Sequence, residues 1–503
     1  MTARDKAGLY DEGAFDVAVI GGGINGVGIA RDAAGRGGRI LLLERGDLAC
    51  GTSSASTKLI HGGLRYLEHY AFGLVRESLE ERETLWRAAP HLLQPMRFVI
   101  PHVAGGRPSW LVRLGLFFYD HLGGRRDLPP ARSIKLETHV AGEALKTRSR
   151  RGFEYSDCWC DDSRLVVANA RDAEARGATI LPRHELISAA RNGNMWTLKA
   201  GGRTFRSRAL VNASGPQLGL VNERLARPQA LPLRLVRGSH IIVPSLFHHP
   251  FAYLFQNRDG RIVFAIPYEG AFTLIGTTDV DQHDAAQKPH ASDAEIEYLL
   301  DAANQQFARK IERGDVAATY SGVRPLAGDA EGRPENASRG YRLDMSQSEE
   351  GAPLLTVIGG KLTTYRHLGE RAVDLLNERL GTLRQGHWTA NAKLPGGAFD
   401  HQALRSEIDA LQIRYPFLGQ KGATRIFKAY GAEASDWLGG ARSWGDLGTS
   451  FGEGLSEAEV RWMVEQEFAA SSEDILWRRS KLGLHMTTDE SERLAAHLGE
   501  KAA

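Results

Sequence analysis

Residues Phe15–Glu44 read FDVAVIGGGINGVGIARDAAGRGGRILLLE, and their order decides the fold. An apolar run, Phe15 to Ile20, leads into Gly21, Gly23 and Gly26 in G-x-G-x-x-G spacing. A helical stretch follows, then a second apolar run from Arg39 to Leu43, and then Glu44. The glycines serve a tight turn, close approach of backbone N–H groups to a pyrophosphate, and close packing of helix on strand. The helix N-terminus then faces the anion. Glu44 falls about twenty residues beyond the glycines, where an acid meets a ribose hydroxyl. The glycines alone occur by chance, but the complete strand–turn–helix–strand unit with its acid specifies a dinucleotide-binding α/β domain.

The rest of the chain is large enough to carry this domain and others. At 503 residues the length suits about three domains of roughly 150 residues each. Hydrophobic residues are 42% and charged residues 25%, an ordinary globular composition. A net charge of +2 argues against a nucleic-acid partner, which calls for a basic excess or stripe. The opening MTARDKAGLYDEGAF carries acids and no apolar core, so no export signal is expected and the chain is placed in the cytoplasm. No stretch approaches the roughly eighteen apolar residues of a membrane span, which leaves surface attachment open. Cys50, Cys158 and Cys160 are too few for a disulfide framework or an ordinary zinc site and are read as reduced; no metal is expected.

Residues Leu231 to Thr278 alternate short strand signals with turns (LPLRLVRGSHIIVP, FAYLFQN, RIVFAIPY, FTLIGTTD) and predict an antiparallel sheet. Two later segments return to the first sheet: ALVNASGP at Ala209–Pro216 and LLTVIGGKLTTYR at Leu354–Arg366. The second predicts a helix start at Gly360 to Thr364. A helix end beside the redox ring of a bound dinucleotide would favour an anionic form of it by about 1 kcal/mol or more; the bland alternative is an ordinary strand-to-helix connection. Beyond LPGGAFD, at Leu394–Asp400, helical signals dominate, with Ser456 and Glu459 as a capping box, predicting a separate C-terminal helical domain.

A nicotinamide enzyme would continue after Glu44 into another βα repeat. Here the chain enters RGDLACGTSSASTKLIHGGLRYLEH, whose small hydroxyls and bare backbone suit a long cofactor. With RGFEYSDCW, RGSH, IGTTD, YSGVRPL and GGKLTTYR following in order, the chain closely resembles the aerobic FAD-dependent sn-glycerol-3-phosphate dehydrogenases from about Phe15 to its end. The resemblance implies a Rossmann-like FAD domain of the glutathione-reductase type, discontinuous over 12–80, 151–222 and 320–392. It also implies an antiparallel-sheet substrate domain over 81–150 and 223–319 and an all-α domain over 393–503. The implied activity is oxidation of sn-glycerol 3-phosphate to dihydroxyacetone phosphate, with electrons passing from FAD to a ubiquinone-type acceptor. Non-covalent FAD, a homodimer and peripheral contact with the inner face of the cytoplasmic membrane are further implications.

A phosphomonoester dianion requires convergent cations, each charge-assisted hydrogen bond contributing about 1.5–3 kcal/mol. Arg65 beside His61-Gly62-Gly63, Arg324 beside Gly322, and Lys361 after Gly359-Gly360 meet that need. A lysine where a helix begins opposes the dipole and so suggests an anionic neighbour. The resemblance places the substrate among Arg65, Tyr66, His240, Arg324, Arg339 and Lys361, with His240, Arg324 and Lys361 as catalytic residues. Oxidation of a secondary alcohol calls for a base near neutrality, and His240 is the preferred one, with His61 as rival. The expected cofactor contacts are Gly21, Gly22, Gly23, Asn25, Gly26, Glu44, Thr52, Ser53, Ser54, Lys58, His61, Gly62, Gly63, Ser214, Gly215, Gly360, Leu362 and Thr363. The Ser and Thr residues among them also suit helix caps.

Trp110–Leu122, WLVRLGLFFYDHL, followed by Arg125 and Arg126, reads either as an interfacial amphipathic helix or as a buried helix with a solvated end. Three alternatives to a quinone-linked dehydrogenase stand beside it. A glycerol-3-phosphate oxidase would use oxygen, an amino-acid oxidase would need a carboxylate clamp, and a non-catalytic flavin-binding protein would have no use for the Arg65, His240, Arg324 and Lys361 set.

Overall fold

The computed structural model describes residues 13–102, 107–124, 127–147, 151–225, 233–257, 259–327, 340–346 and 351–500. Its first sheet runs Tyr341–Met345, Leu354–Gly359, Arg203–Asn212, Phe15–Ile20, Ile40–Leu43 and Thr179–Leu181. From Leu354–Gly359 onward all neighbours are parallel. Helices Ile24–Gly35, Asp162–Ala175 and Tyr365–Leu380 bury Val27, Val166 and Leu368 against Val17, Leu42, Val211 and Val357 on one face. The hairpin Leu186–Asn192 with Met195–Ala200 brings Trp196 and Leu198 against Ala18, Leu41 and Leu43 on the other. Cover on both faces is why VAVI and ILLL are unbroken apolar runs.

The second sheet contains the antiparallel succession read from Leu231 to Thr278: Leu233–Pro244, Phe272–Gly276, Ile262–Tyr268 and Ala252–Gln256. Helix Asp293–Gln306 covers one face through Ile296, Leu299 and Leu300, packed with Ile241 and Val243. Helix Ser109–Leu122 covers the other through Leu116 and Tyr119, packed with Ile242 and Leu254.

Three strands fall outside the division expected from sequence. Gly152–Cys160 pairs along its whole length with Leu93–Pro101, Ala318–Ala327 pairs with Leu233–Pro244, and Leu59–Ile60 pairs with Gly152–Cys160. All three belong to the second sheet although their numbers fall in 12–80, 151–222 and 320–392. A strand's own apolar pattern reports how its faces are covered, and it carries no information about its neighbour.

The C-terminal helices Leu404–Arg414, Gly419–Tyr430, Glu457–Gln466 and Thr488–His497 enclose Ile408, Leu411, Ile426, Phe427, Val460 and Met463. Ser456 accepts from Glu459 N at 3.4 Å, which supplies half of the expected capping box. The Glu459 carboxylate is engaged instead by Arg425 and by Tyr430 Oη. This domain is firmly joined to the first: Arg479 donates twice to Asp47 at 2.8 Å, Arg478 donates to the same carboxylate at 2.6 Å, and Arg164 pairs with Glu467.

Candidate active site

The glycine turn closes as its spacing demands. Gly21 has φ +114°, and a Cβ there would stand 2.6 Å from Ala213 O; a Cβ on Gly26 would stand 1.9 Å from Gly21 O. Gly23 is the N-cap of helix Ile24–Gly35, and Ser53 Oγ accepts from Ile24 N at 3.0 Å. Glu44 accepts from Gly22 N at 2.7 Å and from Gly46 N at 2.8 Å, so the acid is fixed against the turn. Asn25 donates to Gly359 O at 3.0 Å, while its buried Oδ1 has no hydrogen-bond partner among the described residues. Ser214, which donates to Asn212 Oδ1, and Gly215 continue the same edge, where strand Arg203–Asn212 ends beside Gly21. Bare backbone, a helix N-terminus, a fixed acid and an orphaned amide oxygen at the carboxyl ends of parallel strands fit a flavin dinucleotide.

The loop after Glu44 ties this edge to the second sheet. Thr52 donates to Val323 O at 2.6 Å, and Ser54 donates to Gly51 O. His61 N donates to Thr363 Oγ1 at 3.3 Å, and Gly62 N donates to Tyr119 Oη at 2.7 Å. Gly63, at φ +72°, leaves room for the Tyr66 ring. Leu362 packs against the first core. Lys58, expected along the flavin side, turns inward: its ammonium donates to Asp162 at 2.7 Å and to Ser54 O at 3.1 Å, and the side chain is buried.

Gly359 and Gly360, at φ +77° and +97°, hold the chain out of helical geometry, so the helix begins at Tyr365 rather than between Gly360 and Thr364. Lys361 therefore lies in the turn ahead of the helix, its Nζ 4.0 Å from the centre of the Tyr66 ring, a cation–π contact. Arg65 lies in the short helix Leu64–His69; its side chain and the whole of Arg339 lie outside the described residues.

His240 and Arg324 share one face of the second sheet. The register sets His240 opposite Tyr320 and Gly238 opposite Gly322, and alternation brings Arg324 to the same side. Both glycines are necessary here: a Cβ on Gly238 would meet Arg324 Nη2 at 2.5 Å, and one on Gly322 would meet Ala55 O at 2.8 Å. Arg324 is oriented by an ion pair with Asp279 and by Thr277 Oγ1 at 3.4 Å. The His240 ring is fully buried, stacks on Tyr320 at 4.7 Å, and has Thr57 Oγ1 3.0 Å from Nε2. Burial, reinforced by the charges of Arg324 and Lys58, pushes its pKa down to about 3, so the imidazole is neutral. His61, the rival base, has its backbone tied to Thr363 and its ring edge-on to Phe264.

Sequence reading missed Thr57, although STKL lies within the motif that follows Glu44, because nothing local marks a partner so distant in the chain. It also missed Glu295, whose only signal, Ser292-Asp293-Ala294-Glu295, announces a helix start rather than a site.

Comparison with known proteins adds a family frame. A model described as FAD dependent oxidoreductase matches residues 16–366, and one described as the C-terminal domain of alpha-glycerophosphate oxidase matches 387–501. The chain is 47% identical over 487 residues to D-erythritol 1-phosphate dehydrogenase of Brucella abortus, covering 95% of this chain and 96% of that one. It is 45% identical over 496 residues to aerobic glycerol-3-phosphate dehydrogenase of Escherichia coli, covering 96% and 97%. Among solved structures, glycerol-3-phosphate dehydrogenase from Bacillus halodurans complexed with FAD superposes with a TM-score of 0.76 at 27% identity, covering 99% of this chain and 96% of that one.

Proposed function

The chain belongs to the FAD-dependent oxidoreductase family, and on that premise we propose that it oxidises sn-glycerol 3-phosphate to dihydroxyacetone phosphate and passes the electrons to a ubiquinone-type acceptor. The observation that carries this reading is a buried, neutral His240 on the same sheet face as Arg324. Bound FAD supplies the two-electron acceptor that oxidation of an alcohol needs. His240 takes the proton of the C2 hydroxyl. In the tautomer whose Nε2–H donates to Thr57, the lone pair lies on Nδ1, which is buried and has no hydrogen-bond partner among the described residues. Burial and the charges of Arg324 and Lys58 keep that nitrogen unprotonated in the physiological range, but they take its pKa well below the near-neutral value expected from the sequence, which makes the free imidazole a weaker base.

Arg324 and Lys361 hold the phosphate; the family resemblance assigns Arg65 and Arg339 to the same role. Asp279 and Thr277 set the guanidinium's direction, and the Tyr66 ring steadies the Lys361 ammonium. The cofactor contacts are those gathered at the carboxyl edge of the first sheet, from Gly21 to Gly26 with Glu44, Ser53, Ser214 and Gly360.

A second substrate, D-erythritol 1-phosphate, is favoured by the 47% identical Brucella abortus relative. It too is a polyol carrying a terminal phosphate, and it demands the same base and cations. Anaerobic addition of each phosphate to the flavin-loaded protein tests the reading. Bleaching of the oxidised flavin band by sn-glycerol 3-phosphate, and none by glycerol, is expected. Bleaching by the erythritol ester alone would move the assignment to the four-carbon substrate, and bleaching by neither would reject the class. Reoxidation by a soluble quinone, with little peroxide formed in air, separates dehydrogenase from oxidase.

Peripheral contact with a membrane surface is part of the same proposal. Helix Ser109–Leu122 leaves Trp110 67% and Phe117 55% exposed, with Tyr70 82% exposed and Phe72 at the edge of Phe118. A contiguous aromatic patch of this kind suits a lipid headgroup region. Among the described residues, no helix is long and apolar enough to cross a membrane.

A further inference from the structure

Helix Asp293–Gln306 meets the second sheet at its N-terminus, and its third residue has more partners than a cap requires. Ser292 N and Ser292 Oγ donate to Glu295 Oε2 at 3.0 and 2.8 Å, while Glu295 N donates back to Ser292 Oγ at 3.4 Å. That completes a capping box. The same carboxylate, only 4% exposed, also accepts from Arg237 Nη2 at 2.7 Å, Ser239 Oγ at 2.8 Å and Thr278 Oγ1 at 2.7 Å. Thr278 Oγ1 in turn accepts from Ser239 N at 3.0 Å, and Ser239 Oγ lies 2.8 Å from Ser321 Oγ.

These partners adjoin the site from behind. Ser239 precedes His240, and alternation along the strand sends Ser239 toward the helix while His240 faces the site. Thr278 stands between Thr277 and Asp279, the two residues that orient Arg324. Ser321 lies opposite Ser239 on the strand that carries Arg324.

We infer that Glu295 is a positioning residue for both His240 and Arg324: by locking Ser239 and Thr278 together it fixes the distance between the base and the phosphate-holding cation. This rests on the function proposed above. An acceptor-only group is required, since all five partners donate to it. Burial alone would raise the carboxyl's pKa, but the hydrogen bonds from Ser292, Thr278, Arg237 and Ser239 outweigh it and hold the group down to about 2, so it remains ionised.

Glu295→Gln separates the positioning role from the cap. A backbone N–H and a guanidinium at the Oε2 side cannot become acceptors, whereas the two hydroxyls at the Oε1 side can rotate. The new NH2 therefore turns toward Ser239 and Thr278, keeping the cap and exchanging two charge-assisted hydrogen bonds to the site for weaker neutral ones of reversed direction. In the flavin-loaded protein we expect unchanged flavin content, a fall in kcat of about tenfold or more, and a several-fold rise in KM for sn-glycerol 3-phosphate. The Kd of dihydroxyacetone phosphate for the oxidised protein, measured by calorimetry, rises in parallel. In a Ser239→Ala, Thr278→Val background the same change adds less than about twofold, because the link is already absent.

Wild-type kcat, KM and Kd in Glu295→Gln would overturn the inference, as would effects that multiply with those of the double variant. If Glu295→Gln yields no folded flavoprotein, the Ser239→Ala, Thr278→Val protein decides alone, and wild-type turnover and Kd there overturn it. A wild-type protein that does not bleach with the phosphate removes the functional premise and the inference together; a bleaching wild type with an indifferent Glu295→Gln removes only the inference.

Discussion

Thr57 Oγ1 and His240 Nε2 stand 3.0 Å apart, joining the loop that follows the glycine turn to strand Leu233–Pro244 of the other sheet. The contact makes the orientation of a buried imidazole depend on a residue of the cofactor-side loop. Thr57→Val preserves shape and removes the hydroxyl. Flavin reduction in stopped flow should slow by about ten- to a hundredfold, with Thr57→Ser close to wild type. An unchanged rate in the valine variant would show that the ring is held by Tyr320 alone.

The clamp between domains predicts a large stability effect at one acid. Asp47 and Arg479 are both buried, and Arg478 shares the carboxylate. Asp47→Asn leaves buried guanidinium charge without compensation and should cost about 3–5 kcal/mol in chemical denaturation. A loss below about 1 kcal/mol would mean that the apolar contacts alone fasten the C-terminal helices.

His91 is fully buried, and burial, with Arg164 and Arg171 adding to it, holds its pKa down to about 3. The unfolded chain therefore binds a proton that the folded chain refuses as pH falls from about 6.5 toward 3. Its contribution is complete above about pH 6.5 and is lost on acidification, with a slope up to about 1.4 kcal/mol per pH unit. His240 acts in the same direction. His91→Gln should flatten the fall of unfolding free energy between pH 6 and 4 by about one proton's worth; an unchanged slope would assign acid sensitivity to other groups.

The two sides of helix Ser109–Leu122 call for different tests. Leu116 is 3% exposed and packs inward, so charging it should unfold the protein. Trp110→Glu with Phe117→Glu should weaken vesicle sedimentation by about tenfold or more while flavin content stays constant. Retained sedimentation would assign that face to another partner.

What was legible in the sequence follows the range of each constraint. The glycine turn could be read because Gly21, Gly26 and Glu44 meet within one local unit. The antiparallel strands could be read because turns punctuate them. Pairing across the chain could not: Gly152–Cys160 and Ala318–Ala327 carry no mark of their neighbours, and Thr57 is separated from His240 by 183 positions. The Trp110–Leu122 segment was ambiguous for a physical reason, since Leu116 and Tyr119 serve the core while Trp110 and Phe117 face out. One side of that helix is buried and the other is exposed, so a single run of residues carries both patterns.

Asp47 lies three residues beyond Glu44, on the loop whose Gly46 N is fixed by that acid. The anchor of the C-terminal helices and the acid proposed to meet the adenosine ribose thus lie on one short stretch of backbone. Where that stretch couples the two, thermodynamic reciprocity makes flavin occupancy tighten the tail by the same factor by which a docked tail raises flavin affinity. A truncated chain ending before the helical domain should leak its cofactor, although every residue expected to touch the flavin is still present.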